Sequence, residues 1–430
     1  PETPNLYAAV ATVEAAGRTR DAERVAFGVR TIAWDPDKGF FLNGKRVEIQ
    51  GTCNHQDHAG VGAALPDRLQ WYRLAVLKEM GGNAVRTSHN MPTPEWVEAC
   101  DRMGMMMMCE TRLMSSNPEG MAQLETMIKR YRNSPSIILW SMGNEEWTMM
   151  PQPQGVRVID EMIARSHALD PTRLCSAAVN ASFDTHFPEQ LDVMGFNYNL
   201  KVHDAWHKAH PKKASVGSET ASTVSTRGIY STDKLRNWVS AYDLNHTSWS
   251  QLAEEWWKFY AAREWLAGGF AWTGFDYRGE PTPYGWPSIN SQFGIVDMCG
   301  FPKDNFFYYK AWWGSRPVLH LFPHWNWDQR NGEPISVWVH SNVDSVEIFL
   351  NGKSQGSKKV ERLTHLEWSI PYEPGVLEAR GTKDGKIVLT EKRETTGEPV
   401  AIRLTTDRSE IDADGEDVAV LTVEALDKEG

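Results

Sequence analysis

Eight short apolar runs, each followed by a stretch with helical spacing, dominate the sequence between residues 35 and 315. The runs are VEIQGT, GNAVRTS, MGMMMMCE, SIILWSMGN, RLCSAA, LDVMGFN, ASVGSE and GGFAWTGFD. Stretches such as DRLQWYRLAVLKEM, PTPEWVEACDRM and WSQLAEEWWKFYAAREWLA place apolar residues three and four positions apart, which is typical of amphipathic helices. Eight strands alternating with helices predict a (β/α)8 barrel, the TIM barrel. A doubly wound sheet is the alternative, but no glycine-rich phosphate loop follows the first strand.

The two ends of the chain have a different pattern, in which apolar and polar residues alternate. From about residue 316, runs such as ISVWVHS and VEIFLNGK alternate with a period of two, and Asn-Gly and Asp-Gly pairs mark turns. Residues 316–396 are therefore predicted to form a β-sandwich, and residues 1–34 to be the last strands of another sheet. Residues 397–430 are too few for a sandwich of about 100 residues and are predicted to begin a further module. We expect an excerpt of a longer, multidomain protein, with a central barrel at 35–315 and truncated terminal β-domains.

The composition argues against several classes of partner. The net charge of -11 disfavours a nucleic acid or an anionic membrane, since either would need a basic face. The five cysteines are widely spaced and form no CxxC pair, which favours buried thiols over a zinc site. The nineteen tryptophans favour a carbohydrate partner, because an exposed indole offers a flat apolar platform to a sugar ring.

Polar or aromatic side chains occur at nearly every carboxyl end of the predicted barrel strands, where the active sites of such barrels lie. Glu145 and Glu219 end the fourth and seventh strands and are expected to face each other across the barrel mouth. Glycosidic bond cleavage requires such a pair, with one carboxyl group protonated and the other ionised. Spacing alone does not single out this pair in an acidic protein. The residues at the strand ends are His55 and His58, Arg86 and His89, Glu110 and Arg112, Asn144 and Glu145, Asn197 and Tyr198, Glu219, and Trp272 with Asp276.

The segments YRNSPSIILWSMGNEE and ASVGSETASTVSTRGIY resemble those around the catalytic glutamates of glycoside hydrolase family 2, in particular of its β-galactosidases. FGVRTIAWDPDKGFFLNGKRVEIQGTCNHQDHAG, GGNAVRTSHNMPTPEWVEACDRMGM and GGFAWTGFDYRGEPTPYGWPSINSQFGIVDMCGFPKD extend the resemblance over nearly the whole chain. It implies immunoglobulin-like domains around the barrel and a retaining exo-β-glycosidase. Such an enzyme hydrolyses terminal non-reducing β-D-galactosides through a covalent glycosyl-enzyme intermediate. Glu145 is then the general acid/base and Glu219 the nucleophile, while Glu146 should point away if the strand continues.

The resemblance also implies the residues that surround this pair. Asn144 is expected to bind the sugar 2-hydroxyl and Tyr198 to hydrogen-bond the nucleophile. Arg86 is expected to support Glu219 electrostatically. The remaining implied site residues are His55, His89, Trp272 and Asp276 in the sugar pocket, and Asn197 in a supporting role. His58, Glu110 and Arg112 are expected to be structural or to act behind the pocket.

Two departures from the family pattern bear on cofactor and substrate. Some members bind magnesium through a Glu-x-His pair after the third strand, but here the segment reads ETR, so no metal and no other cofactor is expected. The family's glucuronidases carry an Asn-x-Lys whose lysine meets the sugar carboxylate. Here Ser291, Gln292 and Phe293 supply no cation, and burying an uncompensated carboxylate is costly.

Three alternatives follow for the function: a β-glucuronidase, a β-mannosidase, or a non-catalytic carbohydrate-binding fragment. The family's N-terminal sugar-binding domain, which builds part of the pocket wall, is not among these residues. A carbohydrate is the expected partner, and a homo-oligomer is left open. A periplasmic or secreted bacterial location is favoured over a cytoplasmic one, because family members with extra C-terminal β-modules are often exported.

Overall fold

The computed structural model describes all residues from 1 to 430. The strands are β1 (Tyr7–Ala15), β2 (Arg18–Phe27), β3 (Ile32–Asp35), β4 (Gly39–Leu42), β5 (Lys45–Arg46), β6 (Ile49–Asn54), β7 (Ala84–Thr87), β8 (Met106–Glu110), β9 (Ile137–Asn144), β10 (Cys175–Val179), β11 (Val193–Asn197), β12 (Ala214–Thr220), β13 (Leu266–Ala271), β14 (Leu319–Phe322), β15 (Pro334–Ser341), β16 (Ser345–Leu350), β17 (Lys353–Lys359), β18 (Leu366–Pro371), β19 (Val376–Lys383), β20 (Lys386–Glu394), β21 (Ala401–Thr406) and β22 (Leu421–Leu426). The helices are α1 (Asp67–Glu79), α2 (Pro94–Met103), α3 (Pro118–Tyr131), α4 (Pro153–Leu169), α5 (Phe187–Gln190), α6 (Leu200–Ala209), α7 (Ala253–Ala261) and α8 (Asp304–Trp313), with a 3₁₀ turn at Asp328–Arg330. None of these helices combines the length and the apolar composition that a bilayer crossing requires.

The strands β6 to β13 close into a parallel barrel, and each corresponds to one of the eight apolar runs. Neighbouring strands follow chain order, and β13 pairs with β6 to complete the ring. Strands β7, β8, β10, β11, β12 and β13 are buried at every residue, as expected where helices cover a parallel sheet. The predicted TIM barrel is therefore confirmed.

The chain divides into two compact units. The first comprises residues 1–57, 82–223 and 246–275, and it contains all eight barrel strands together with the hairpin β1–β2 and the antiparallel sheet β3–β4–β5. The second comprises residues 58–81, 224–245 and 276–430, and it contains α1, α8 and the sheets β14 to β22.

A seven-stranded β-sandwich forms within the second unit. Its sheets are β14–β15–β18 and β17–β16–β19–β20, and both contribute to one apolar core that includes Trp325, Val337, Ile348 and Leu377. Burial alternates strictly along β18, as the period-two pattern of the sequence predicts. Seven strands is also the number in an immunoglobulin constant-type sandwich. The prediction that further β-sheet domains accompany the barrel is confirmed. The domain boundaries at 34, 315 and 396 stay predictions.

One predicted helix is shorter than its pattern. The apolar spacing of WSQLAEEWWKFYAAREWLA extends from residue 249 to 267, whereas α7 covers only Ala253–Ala261. The carboxylate of Glu255 accepts the backbone N–H of Leu252 at 3.0 Å, which satisfies a donor that the helix start leaves free. At the other end of the pattern, Leu266 and Ala267 belong to β13 and not to a helix.

Candidate active site

Ten of the strand-end residues belong to the first unit and form one connected cluster. Hydrogen bonds join Arg86, His89, Glu110, Asn144, Glu145, Asn197, Tyr198 and Glu219, and ring contacts join His55, His89 and Trp272. They end or directly follow β6, β7, β8, β9, β11, β12 and β13. Because all these strands are parallel, their carboxyl ends meet at one mouth of the barrel.

The guanidinium of Arg86 lies at the centre of the cluster and is fully buried. Its Nη1 donates to Glu219 Oε2 at 3.0 Å, and its Nη2 donates to Glu110 Oε2 at 2.6 Å. Nη2 also donates to Asn144 Oδ1 at 2.8 Å. One cation therefore fixes side chains from β8, β9 and β12.

Glu110 is the second ion of this network. Burial alone would raise the pKa of its carboxyl group, but the charges of Arg86 and His89 outweigh burial and hold that pKa at about 2. Nδ1 of His89 lies 2.6 Å from Glu110 Oε1, so the ionised carboxylate accepts the Nδ1 proton. The ring nitrogen Nε2 of His89 is thereby left for a ligand.

The two predicted catalytic carboxylates are bridged by one amide. Asn197 Nδ2 donates to Glu145 Oε1 at 2.7 Å and to Glu219 Oε2 at 2.8 Å. Because Glu145 Oε1 and Glu219 Oε2 accept from the same nitrogen, these two oxygens lie at most 5.5 Å apart. The hydroxyl of Ser218 donates to the side-chain oxygen Oδ1 of Asn197 at 2.6 Å. This bond orients the amide so that its Nδ2 faces the two carboxylates.

The backbone turns sharply where Glu145 leaves the sheet. Gly143 has a φ of +140°, and a side chain there would bring a Cβ within 3.0 Å of the Cβ of Met114. Glu145 itself is left-handed, with a φ of +53°, and its N–H donates to Ala178 O at 3.0 Å. Strand β9 ends at Asn144, so the strand continuation assumed for Glu146 does not occur. Trp147, two residues beyond Glu145, is 63% exposed.

The environment of Glu145 favours its protonated form. Burial, followed by the charge of Glu219, raises the pKa of Glu145 to about 7. Glu219 instead accepts from three donors, because Tyr198 Oη lies 3.0 Å from its Oε1 while Arg86 and Asn197 contact its Oε2. The two carboxyl groups are therefore suited to different protonation states.

Tyr198 has a second partner that the sequence did not suggest. Its hydroxyl lies 2.6 Å from Ser222 Oγ, and the N–H of Ser222 donates to Ser250 Oγ at 2.6 Å. Ser222 follows Glu219 by three residues. It lies in a loop without helix or strand, so no periodicity marks it.

Aromatic rings form one side of the cluster. His89 stacks on Trp272 with ring centroids 5.3 Å apart and planes 10° apart, and His55 contacts the same indole edge-on at 5.3 Å. Trp272 is buried and directly follows β13. This arrangement agrees with the expected pocket of His55, His89 and Trp272, whose roles stay predictions.

Three predicted residues, Asp276, His58 and Arg112, take no part in the hydrogen bonds and ring contacts named above. Asp276 and His58 belong to the second unit, where both Asp276 oxygens contact the buried ammonium of Lys303, at 3.0 and 2.8 Å. Burial raises the pKa of Asp276 to about 6 although Lys303 opposes the shift. Arg112 is exposed beyond β8. A hydroxyl-binding role for Asp276 stays a prediction.

Known proteins resemble this chain in both sequence and fold. A profile described as "Glycosyl hydrolases family 2, TIM barrel domain" matches residues 36–123 and 115–284. The chain belongs to glycosyl hydrolase family 2. A second profile, of a domain of unknown function (DUF4982), matches residues 332–389 of this family 2 chain.

Individual relatives of this family 2 chain carry different names. It is 36% identical to a β-galactosidase of Bacteroides ovatus, over 100% of the chain and 58% of the relative. It is 32% identical to a putative β-glucuronidase of Formosa agariphila, over 100% of the chain and 45% of the relative. A crystal structure of a β-glycosidase from Bacteroides vulgatus superposes with a TM-score of 0.89 at 32% identity, over 99% of this chain and 60% of the other. The chain thus spans about half to three fifths of the length of these relatives.

The residues after β8 do not fit the magnesium site of some family 2 members. Both oxygens of Glu110 are engaged, Oε1 by His89 and Oε2 by Arg86 and Ser141. The position of the family histidine is occupied by the exposed Arg112.

A chelator should therefore leave catalysis unchanged. We expect β-glycosidase rates before and after EDTA treatment and desalting to agree, since Arg86 and His89 already occupy both oxygens of Glu110. A large loss of rate that magnesium restores would contradict this prediction and would place a metal-binding site near the catalytic residues.

Removing the charge of Glu110 should destabilise the first unit. Glu110→Gln leaves the buried Arg86 with one fewer anion, and breaking a buried ion pair costs about 3 kcal/mol. Chemical denaturation measures the loss. The matched control is Glu125→Gln, because Glu125 also pairs with two cations, Lys129 and Arg165, but at the surface. The control should change stability little. Equal effects in the two variants would show that burial does not set the strength of the Arg86 network.

Proposed function

We propose that the protein is a retaining exo-β-glycosidase that hydrolyses terminal non-reducing β-D-galactosides through a covalent glycosyl-enzyme. The observation that carries the proposal is the bridge of Asn197 between Glu145 and Glu219. Because of this bridge, one oxygen of Glu145 and one oxygen of Glu219 lie at most 5.5 Å apart. Retaining glycosidases hold their carboxyl groups about 5–5.5 Å apart, whereas inverting enzymes need about 6.5–9.5 Å to admit a water molecule.

The contacts of each carboxyl group support its role in the first step. Glu219, which is paired with Arg86, attacks the anomeric carbon, while protonated Glu145 gives its proton to the departing glycosidic oxygen. Asn144 accepts from Arg86 through Oδ1, so its Nδ2 hydrogens remain to donate to the sugar 2-hydroxyl. Tyr198 orients the attacking carboxylate through its contact with Oε1.

The same electrostatics supports the role reversal of Glu145 in the second step. Once Glu219 forms an ester with the sugar, its negative charge is gone, and that charge is one cause of the raised pKa of Glu145. The pKa of Glu145 then falls, and Glu145 ionises and can take a proton from the attacking water.

The charge balance of the cluster supports a neutral sugar over a glucuronide. Arg86 is already matched by Glu110 and Glu219, and in the second unit Lys303 is matched by Asp276. A sugar carboxylate beside Arg86 would be a third anion on one buried cation. Relatives with both names exist, so a panel of aryl β-galactosides, β-glucuronides and β-mannosides decides between them. A carbohydrate partner and an exported location stay part of the proposal, and the oligomeric state stays open.

Substitution of each glutamate should separate the two roles. Glu219→Gln should abolish turnover of all aryl β-galactosides, because no nucleophile remains. Glu145→Ala should slow substrates with poor leaving groups far more than activated ones, and azide should restore part of the rate as the β-galactosyl azide. Because the chain spans 58% of its Bacteroides ovatus relative, the assays use both this chain and the complete reading frame. Azide rescue of Glu146→Ala, with full activity in Glu145→Ala, would reverse the assignment.

The pH dependence should report the ionisation of Glu145. A general acid must be protonated in the free enzyme, so kcat/KM should fall about tenfold per pH unit above pH 7. Glu219→Gln removes a charge that raises this pKa, so the pKa of Glu145 should be lower in that variant. NMR titration of labelled glutamate in both proteins measures the change. An unchanged or higher pKa in Glu219→Gln would contradict the coupling.

A further inference from the structure

We propose that Trp147 forms a leaving-group subsite, in which the exposed indole stacks on the saccharide that is bonded to the cleaved oxygen. The inference rests on the proposed glycosidase function and specifies the substrate class as a disaccharide or longer glycan. Trp147 is not among the site residues that the family resemblance implies.

The position of the leaving group follows from the contacts of Glu145. Its Oε1 accepts from Asn197 and faces the nucleophile, whereas its Oε2 has no side-chain donor. The departing oxygen must come within hydrogen-bond reach of the proton on Oε2. The ring attached to that oxygen therefore lies beside Glu145, on the side away from Glu219.

Trp147 is held close to this place by the backbone. Its N–H donates to Glu145 O at 2.8 Å, which closes a three-residue turn around Glu146. Two peptide units limit the distance between the Cα atoms of Glu145 and Trp147 to about 7.6 Å, and the turn shortens it further. An indole on this turn can reach a ring that is bonded to an oxygen at Glu145.

The turn is ordered rather than loose. The carbonyl oxygen of Glu146 accepts from Met149 N at 3.0 Å and from Met150 N at 2.9 Å. Glu145 N is tied to Ala178 O at the end of β10. The backbone on either side of Trp147 is therefore fixed by hydrogen bonds. A ligand that binds the indole pays little conformational entropy for ordering it.

The side chain of Trp147 is exposed to solvent. Trp147 is 63% exposed, while Met150 three residues later is buried, so the indole is the part of this turn that faces solvent. A large apolar ring left in water is unfavourable until a ligand covers it. The apolar C–H face of a pyranose matches the flat indole. A leaving group that departs towards solvent from Glu145 passes this ring.

The test compares two substrates of the same glycone with different leaving groups. β-Galactosyl fluoride carries no ring beyond the cleaved bond, whereas a β-galactosyl disaccharide carries a saccharide there. Trp147→Ala should lower kcat/KM for the disaccharide about tenfold, the effect of losing ~60 Å² of apolar contact. The value for the fluoride should stay within about twofold of wild type. Trp147→Phe, which keeps an aromatic face, should retain most of the disaccharide activity.

A second measurement uses the glycosyl-enzyme formed from the fluoride. Free saccharide added as acceptor occupies the same subsite, and the ratio of transfer product to released galactose is then independent of how fast the enzyme is glycosylated. Trp147→Ala should lower this ratio. The matched control is Trp265→Ala, because Trp265 directly precedes β13 and so lies at the amino end of a barrel strand, away from the catalytic mouth. It should leave the ratio unchanged.

Each outcome has a defined meaning. Equal losses on fluoride and disaccharide would overturn the inference, because the indole would then not act on the leaving saccharide. A loss confined to the disaccharide with an unchanged transfer ratio would overturn it too, because a poor leaving group depends on Glu145 more than fluoride does and the indole would then support Glu145. An unchanged disaccharide rate and transfer ratio would overturn it as well. If the wild-type protein cleaves neither substrate, the proposed function itself fails, and this result is distinct from the others.

Discussion

The buried charge of Arg86 is the interaction on which the site depends. A guanidinium removed from water is costly unless anions and hydrogen-bond acceptors surround it. Here Glu110, Glu219 and Asn144 meet that need from three different barrel strands, at distances between 2.6 and 3.0 Å. Displacing any one of them leaves the cation under-compensated. The carboxyl ends of β8, β9 and β12 are therefore held in register by electrostatics as well as by backbone pairing.

This network also makes the two catalytic candidates unequal. Glu219 contacts the cation directly, whereas the one side-chain hydrogen bond to Glu145 comes from the neutral amide of Asn197. A second full negative charge within 5.5 Å of Glu219 would be repelled in a buried place. The burial of Glu145, the charge of Glu219 and the contact of Glu219 with Arg86 together make Glu145 the carboxyl group that is more readily protonated.

The sequence predicted the barrel well because parallel strands buried on both faces leave continuous apolar runs, such as SIILW in β9. It also predicted which residues cluster, because parallel strand ends meet at one edge. It predicted less well where a contact joins distant parts of the chain. The partners of Glu110 and Asp276 lie many residues away, and the left-handed turn at Glu145 depends on Gly143 and on Ala178 in the next strand. No local pattern records such contacts.

The network has a consequence for how the pocket can change. His89 contacts Glu110 through Nδ1, and Glu110 shares Arg86 with Glu219. If His89 binds the glycone as proposed, sugar recognition and the contacts of Glu219 depend on one set of buried charges. A substitution at His89 that altered sugar preference would also alter the field at Glu219. A substitution outside this network, for example at Trp147, would leave the electrostatic field at Glu219 unchanged. If the proposed leaving-group subsite exists, it is the part of the site that can change without altering the Arg86 network.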